Sequence, residues 1–378
     1  MIRLCSIQPV AERGGSDQAL LRMVRSLPPN EFECHVVVPT EPPLRSEYEA
    51  AGATVHIVAM RRISMSHRFW DWTAYVLGWP RAVIRLHRLV RELDIDVVHS
   101  NSLHSWYGWA AARLARRPHV WHAREIVVQS GAALRVERFL ARHFATRVVC
   151  GSQAIADQLD ARNAVVVYDA PERAVFNPTR AGRMRVRAGV PDDAPLVGVV
   201  GRLDTWKGVD VLLDAWPSVT HAIAGVHLLI AGAAVEGKEG HAHELAVRAS
   251  ELTDVHWLGE LDEEGVADVL ADLDVLTLPS TEPEPYGFVL VEALMSGTPV
   301  VATDAGGPRE IVGLASSGAG QLVPPGDADA LADAIVTVVE RAGPTATAAR
   351  AARPSLVSIP MGDLAGVFRA AVRKPSGA

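Results

Sequence analysis

Two glutamates eight positions apart, Glu284 and Glu292, sit in Leu278-Pro-Ser-Thr-Glu-Pro-Glu-Pro-Tyr-Gly-Phe-Val-Leu-Val-Glu. An apolar strand ends at Pro279, and a residue before proline avoids the helical region, so Glu282 to Pro285 reads as extended. A helix is predicted from about Gly287 to Gly297, with Pro299 beyond it as a stop. The first N–H groups of a helix lack intrahelical partners, so residues 287–290 offer an anion site for phosphate or sugar oxygens. Two carboxylates beside such a site would repel a simple anion. They make sense if they accept hydrogen bonds from the hydroxyls of a ligand that also carries phosphate, as a sugar nucleotide does. The plain alternative is a solvated helix face with an acidic lead-in.

A second segment, Val197-Gly-Val-Val-Gly-Arg-Leu-Asp-Thr-Trp-Lys-Gly, reads as strand, turn and helix start. Arg202 falls at the strand's carboxyl end and Lys207 just before the helix. An arginine fork and a mobile ammonium together can neutralise a diphosphate leaving group. Of 37 Lys and Arg residues only Lys207, Lys238 and Lys374 are lysine, so a lysine here draws attention to itself. The alternative is a capping pair at the surface. The segment is neither a Walker loop nor GxGxxG, which removes the main support for a simple ATPase or a Rossmann dehydrogenase.

These residues need rigid elements to position them, and the sequence supplies two series. Strands are predicted at 2–7, 34–38, 53–58, 96–99, 118–122, 147–150 and 164–168, with helices at 16–27, 81–93, 105–116, 134–144 and 152–160 between them. A second series has strands near 196–200, 227–231, 255–258, 274–278, 299–302 and 321–323, and helices near 209–216, 241–252, 263–271, 287–296 and 327–341. Such alternation predicts parallel sheets covered on both faces, two doubly wound α/β domains in all. The 378 residues suit two domains, with 49% hydrophobic and 21% charged residues, the composition of a globular chain. Turn formers in 169–195 predict the boundary, giving domains at 1–175 and 176–358 and a last helix within 359–378 returning to the first. Open α/β sheets bind ligands at strand carboxyl ends, so two facing sheets are expected to hold a ligand in the cleft between them.

The net charge of −7 and a pI near 6.1 argue against a general nucleic-acid binder. Cys5, Cys34 and Cys150 lie widely spaced in or beside apolar runs, the pattern of buried free thiols in a reducing compartment. No signal-peptide pattern or long apolar run occurs, so the expected location is cytoplasmic.

The two chemistry-bearing segments resemble retaining glycosyltransferases of family 4, which have the two-domain GT-B fold. The resemblance includes Glu284 and Glu292 as an E-x7-E pattern, Pro279-Ser280 ahead of it, and Tyr286-Gly287-Phe288 within it. It continues through Gly297-Thr-Pro-Val-Val-Ala-Thr-Asp-Ala-Gly-Gly-Pro-Arg-Glu-Ile-Val and Pro325-Gly-Asp-Ala-Asp. It is strong over about 196–341 and weaker but collinear over 1–170. It implies a nucleoside diphosphate sugar donor and a metal-independent reaction without a cofactor. It further implies that Glu292 holds ribose hydroxyls, Glu284 contacts the donor sugar, and Arg202 and Lys207 bind the diphosphate. The backbone around Phe288 and Val289 would complete the pocket, with Gly306, Gly307 and Glu310 nearby. His122, at a strand's carboxyl end, matches a histidine that faces the donor sugar; His99 is a lesser candidate. The pair Gly14-Gly15, before a helix, would let backbone approach an anion closely. At the interdomain turn the family's Asn-Gly-acid pattern is replaced by Tyr168-Asp169-Ala170-Pro171-Glu172. His99, His104, His119 and His122 fall on separate elements without a matching carboxylate pattern, so no metal site is expected.

The segment Arg61 to Arg91 is unusual, with seven arginines against Asp71, plus Trp70, Trp72, Tyr75 and Trp79. It suits an anionic membrane surface or an anionic or lipid-linked acceptor; the alternative is an arginine-rich helix packing its tryptophans inward. Two rival functions stand beside the transferase: a non-catalytic sugar-nucleotide-binding or scaffold protein of the same fold, and a GT-B nucleotide-sugar epimerase, whose products appear without any acceptor.

Overall fold

Runs of Val, Ile and Leu without polar alternation become strands buried on both faces, as in parallel sheets. Leu196–Val200, for example, is buried at every position. The computed structural model describes residues 1–11, 15–61, 69–128, 130–169, 171–235, 237–342, 354–358 and 362–373; for 69–72, 74 and 342 it describes the backbone alone. The chain divides into two units, Met1–Asp169 with Met361–Ala378, and Ala170–Pro360.

The first unit runs β1 (Ile2–Ile7), α1 (Gly15–Ser26), β2 (Phe32–Val38), α2 (Arg45–Ala50), β3 (Ala53–Ile57), α3 (Phe69–Glu92), β4 (Val97–Ser100), α4 (Tyr107–Ala115), β5 (His119–Ala123), α5 (Gly131–Phe144), β6 (Arg147–Cys150), α6 (Gln153–Leu159) and β7 (Ala164–Val166). Among the described residues its strands form one parallel sheet in the order β3-β2-β1-β4-β5-β6-β7. The second unit runs α7 (Met184–Ala188), β8 (Leu196–Val200), a 3₁₀ turn (Thr205–Lys207), α8 (Val209–Ala222), β9 (His227–Ala231), α9 (Glu239–Ser250), β10 (Val255–Gly259), α10 (Glu263–Asp272), β11 (Val275–Leu278), α11 (Phe288–Met295), β12 (Val300–Thr303), α12 (Pro308–Leu314), β13 (Gly320–Val323) and α13 (Ala328–Ala342). Its parallel sheet has the order β10-β9-β8-β11-β12-β13. A last helix, α14 (Leu364–Arg373), belongs to the first unit. Both orders contain the Rossmann sequence, which reverses between β1 and β4 and between β8 and β11.

The helices differ from expectation at their proline-containing ends. α3 starts at Phe69 and carries Pro80 inside it, and α8 continues past Pro217 to Ala222. A helix-interior proline costs about 3 kcal/mol or more through the lost hydrogen bond and ring clash. In α8 the sites on both sides of Pro217 are buried, Trp216 at 1% exposure and Val219 at 0%. Each such buried apolar side chain contributes about 1.5–3 kcal/mol or more, enough to carry the helix through. Three short helices, α2, α7 and α12, have too few residues for periodicity to reveal them. α7 is held by Arg185, buried and paired with Asp274 at 2.8 Å.

Phe368 of α14 is fully buried and meets the rings of Phe32 and His99 edge-on. All three cysteines are buried and free. Among the described residues no helix is long and apolar enough to cross a membrane.

Candidate active site

In the second unit the loop after β8 carries Arg202 and Lys207, and the loop after β11 carries Ser280 and Glu284. The two are joined by backbone: Thr281 N–H donates to the Trp206 carbonyl at 2.8 Å. Gly208, at φ +67°, lies so close to Pro279 that an added Cβ would stand 1.9 Å from its carbonyl oxygen. Any side chain there would force the loops apart. The outcome is a Lys207 Nζ that donates to Glu284 Oε2 at 2.6 Å while lying 4.2 Å from the Trp206 ring centre. Ser280 Oγ donates to the same carboxylate oxygen at 3.2 Å. Arg202 and Lys207 also line a small pocket with Val199, Val200, Ala231 and Leu278.

Glu284 is fixed from the other side by the loop after β12. Its N–H reaches the Ala305 carbonyl at 3.2 Å, and its carbonyl accepts from Gly307 N–H at 2.8 Å. A Cβ on Gly306 (φ +79°) would sit 2.2 Å from the Glu284 oxygen. Gly306 and Gly307 therefore set the position of this glutamate. Glu284 and Glu292 are each 8% exposed.

α11 begins at Phe288, with Gly287 as its N-cap in the left-handed conformation and no capping side chain. Gly287, Phe288, Val289 and Glu292 thus share one short helix. The predicted anion site of residues 287–290 is narrower than expected, because the Leu290 N–H turns back to the Gly287 carbonyl at 2.9 Å.

The remaining candidates belong to the first unit. Gly14 falls outside the described residues, and Gly15 opens α1. His122 is fully buried near the carboxyl end of β5, and among the described residues its Nε2 has no hydrogen-bond partner. Burial, and then the neighbouring Arg124, hold its pKa well below 6.5, so the imidazole is neutral. His99, at 0% exposure, is 5.6 Å away ring to ring and is likewise pushed down by burial first. Around them the ends of β1, β4 and β5 are tied together. Asn101 Nδ2 donates to Gln8 Oε1 at 2.9 Å and to the Ser16 carbonyl at 3.0 Å, while Arg124 Nε donates to Asn101 Oδ1 at 2.8 Å. Arg124 is also paired with Asp169.

In the basic segment, Arg62 and Arg68 fall outside the described residues, as do the side chains of Trp70 and Trp72. Tyr75 is buried and Trp79 is half-buried, 6.2 Å from the Trp109 ring. Exposed on α3 are Val76, Leu77 and Ile84, beside Arg81, Arg85, Arg88 and Arg91. Among the described residues no group of three or more His, Cys, Asp or Glu is arranged to hold a metal ion.

Local pattern does not mark Ser280 and Trp206 as partners of the Glu284–Lys207 pair, nor does it join Asp204 to Lys238, whose Nζ donates to Asp204 Oδ1 at 2.6 Å. Scarcity of lysine was the one signal that pointed to Lys238.

Two Rossmann-like units with this loop constellation point to a glycosyltransferase of the GT-B fold. Residues 194–341 match the family described as "Glycosyl transferases group 1", and residues 14–178 match "Glycosyl transferase 4-like domain". The chain is 32% identical over 272 residues to the phosphatidyl-myo-inositol mannosyltransferase of Mycobacterium leprae, covering 69% of this chain and 68% of that protein. It is 30% identical over 354 residues to the GDP-mannose-dependent alpha-mannosyltransferase of Mycobacterium tuberculosis, covering 89% and 87%. Among solved structures, Anabaena HepE in complex with UDP and glucose matches with a TM-score of 0.76 at 25% identity, over 93% of this chain and 94% of that one. The chain belongs to glycosyltransferase family 4.

Proposed function

We propose that the protein transfers a sugar from a nucleoside diphosphate sugar to an acceptor hydroxyl with retention of configuration. The observation that carries this reading is the Arg202–Lys207 loop held against the Glu284 segment where the strand order reverses. Arg202 and Lys207 bind the diphosphate and stabilise its departure, an electrostatic contribution available without a resident metal. Glu292 accepts hydrogen bonds from the ribose hydroxyls, and Glu284 does so from the sugar. The anomeric carbon–oxygen bond to phosphate breaks as the acceptor oxygen bonds on the same face. The acceptor's proton passes to the departing phosphate oxygen. The scheme requires no carboxylate nucleophile, and Glu284 Oε2 already accepts from Lys207 and Ser280. His122 brings a neutral imidazole, with an Nε2 that has no partner among the described residues, to the first unit's strand ends.

The test is a thermal-shift panel of nucleoside diphosphate sugars, GDP-mannose and UDP-glucose first, since a ligand stabilises the fold that binds it. NMR of the product then reads the anomeric configuration. Retention is expected with EDTA present. Inversion, or product formed without acceptor, would overturn the mechanism.

The relatives include a phosphatidyl-myo-inositol mannosyltransferase, and exposed Val76, Leu77 and Ile84 beside four arginines on α3 suit an anionic lipid surface. A lipid-linked acceptor is proposed accordingly. Flotation with anionic liposomes at low salt should carry the protein, and an Arg81/Arg85/Arg88→Glu variant should remain behind. No flotation at low salt points to a soluble acceptor instead.

A further inference from the structure

The loop that presents Arg202 and Lys207 also carries a carboxylate between them. Asp204 is 7% exposed, its N–H bonded to the Arg202 carbonyl at 2.9 Å and its own carbonyl accepting from Lys207 N–H at 2.9 Å. A buried negative charge on the loop that carries both cations, near enough to Arg202 to feel its charge, works against an anionic ligand. It repels the ligand directly, and it competes for the nearer guanidinium. The molecule answers this from another loop. Lys238, at the start of α9, reaches across and donates to Asp204 Oδ1 at 2.6 Å. The reach is supported by backbone: Gly201 N–H meets the Ala231 carbonyl at 3.0 Å and Leu203 N–H meets the Ala233 carbonyl at 2.9 Å, extending the β8–β9 pairing beyond the strands. Burial alone would raise the Asp204 pKa, yet the bond and charge of Lys238 outweigh it and hold the carboxyl below its usual range. Lys238 itself keeps 44% of its side chain exposed, so it is no core strut.

We propose that Lys238 is a positioning residue for donor binding, one that neutralises Asp204 so that Arg202 and Lys207 remain available to a diphosphate. The proposal rests on the reading of that loop as the diphosphate site. It makes Lys207 and Lys238 two halves of one arrangement, the first facing the ligand and the second cancelling the charge behind it.

The experiment is calorimetric titration of GDP and UDP into four proteins: the unmodified chain, Arg202→Ala, Lys238→Met, and Lys238→Met combined with Asp204→Asn. An uncompensated charge near a ligand phosphate is worth about tenfold in Kd at protein-surface dielectrics. Lys238→Met should weaken the nucleoside diphosphate by about that factor, less so in high salt, and lower the melting temperature because it leaves the buried Asp204 without its partner. The double variant should recover most of the affinity, because removing the stranded carboxylate removes the need for its partner. A role as a simple brace predicts the opposite, since Asp204→Asn also breaks the bridge. Unchanged affinity in Lys238→Met overturns the proposal, and so does a double variant as weak as the single one. If Arg202→Ala binds as well as the unmodified chain, the diphosphate site itself is misassigned. Weakening in Arg202→Ala with none in Lys238→Met removes the proposal for Lys238 alone.

Discussion

The two sheets share a strand order, but the crevices where that order reverses are furnished in opposite ways. In the second unit the ends of β8 and β11 present cations and carboxylates on loops: Arg202 is exposed, and Lys207 pairs with the buried Glu284. In the first unit the ends of β1, β4 and β5 close on themselves through Gln8, Asn101, Arg124 and Asp169, with neutral histidines beneath. One topology therefore supports two designs. Where a cation stands exposed, as Arg202 does, a ligand phosphate can reach it at little cost. Where charges are desolvated and mutually bonded, they stabilise the fold, and leaving one unpaired is expensive.

The sharpest way to break this contrast is to delete a cation from each crevice. In the second unit, Arg202→Ala and Lys207→Ala should each weaken nucleoside diphosphate binding by about 10–100-fold, the loss of a charge-assisted bond. Turnover should fall at least as far, while the melting temperature barely moves in Arg202→Ala and falls moderately in Lys207→Ala, which leaves the buried Glu284 without its cation. Calorimetry and a thermal melt on the same preparations decide it; unchanged affinity in both variants would reject the site.

The corresponding change in the first unit is Arg124→Met. It strands Asp169 and unties Asn101, so a stability loss of about 2–3 kcal/mol is expected, below the full cost of breaking a buried pair because both ends are slightly exposed. Urea unfolding measures it, and nucleoside diphosphate affinity should be unaltered. A stable Arg124→Met protein with weakened nucleotide binding would reverse the comparison.

The glutamates sharpen it further. Glu292→Gln should weaken bare nucleoside diphosphate by about 1 kcal/mol or more, because an amide offers a single acceptor oxygen to two ribose hydroxyls. Glu284→Gln should abolish transfer but leave bare nucleotide affinity intact or slightly improved, since Lys207 is then released from its carboxylate. Equal losses in both variants would show that the division of roles between them is mistaken.

The smallest effect concerns pH. In the first unit burial lowers the pKa of His35, His56, His99 and His122, and pushes His119 down to about 3. In the second it lowers His256. The unfolded chain binds these protons near the ordinary value of about 6.5, the folded chain only at lower pH. Their stabilisation is therefore whole above that value and is lost as pH falls below it toward the folded values. Hydrogen exchange near pH 7.5 and near pH 5 should show β4 and β5 losing protection before β8 and β11. Parallel losses in both sheets would remove the distinction.

Much of this was legible from local pattern. Alternating apolar runs placed the strands, because a strand buried on both faces must be apolar whatever it pairs with. The E-x7-E segment and the Arg202–Lys207 segment announced themselves because prolines and glycines dictate backbone shape over a few residues. The helices were less legible where prolines intervened. Pro217 looks like an end to α8, and only the burial of Trp216 and Val219 against the sheet carries the helix past it.

The sequence by itself determined two parallel α/β units and the identity of the charged residues at their strand ends. Tertiary structure alone decided which charges meet. Lys207 finds Glu284 across 77 positions because β8 lies beside β11, and Lys238 finds Asp204 across 34 because the β8–β9 pairing continues into their loops. The same ordering of strands put His122, a candidate for facing the donor sugar, fully inside the first unit. Periodicity is a property of neighbours along the chain, whereas ion pairing and desolvation depend on neighbours in space, and strand order is what converts the one into the other.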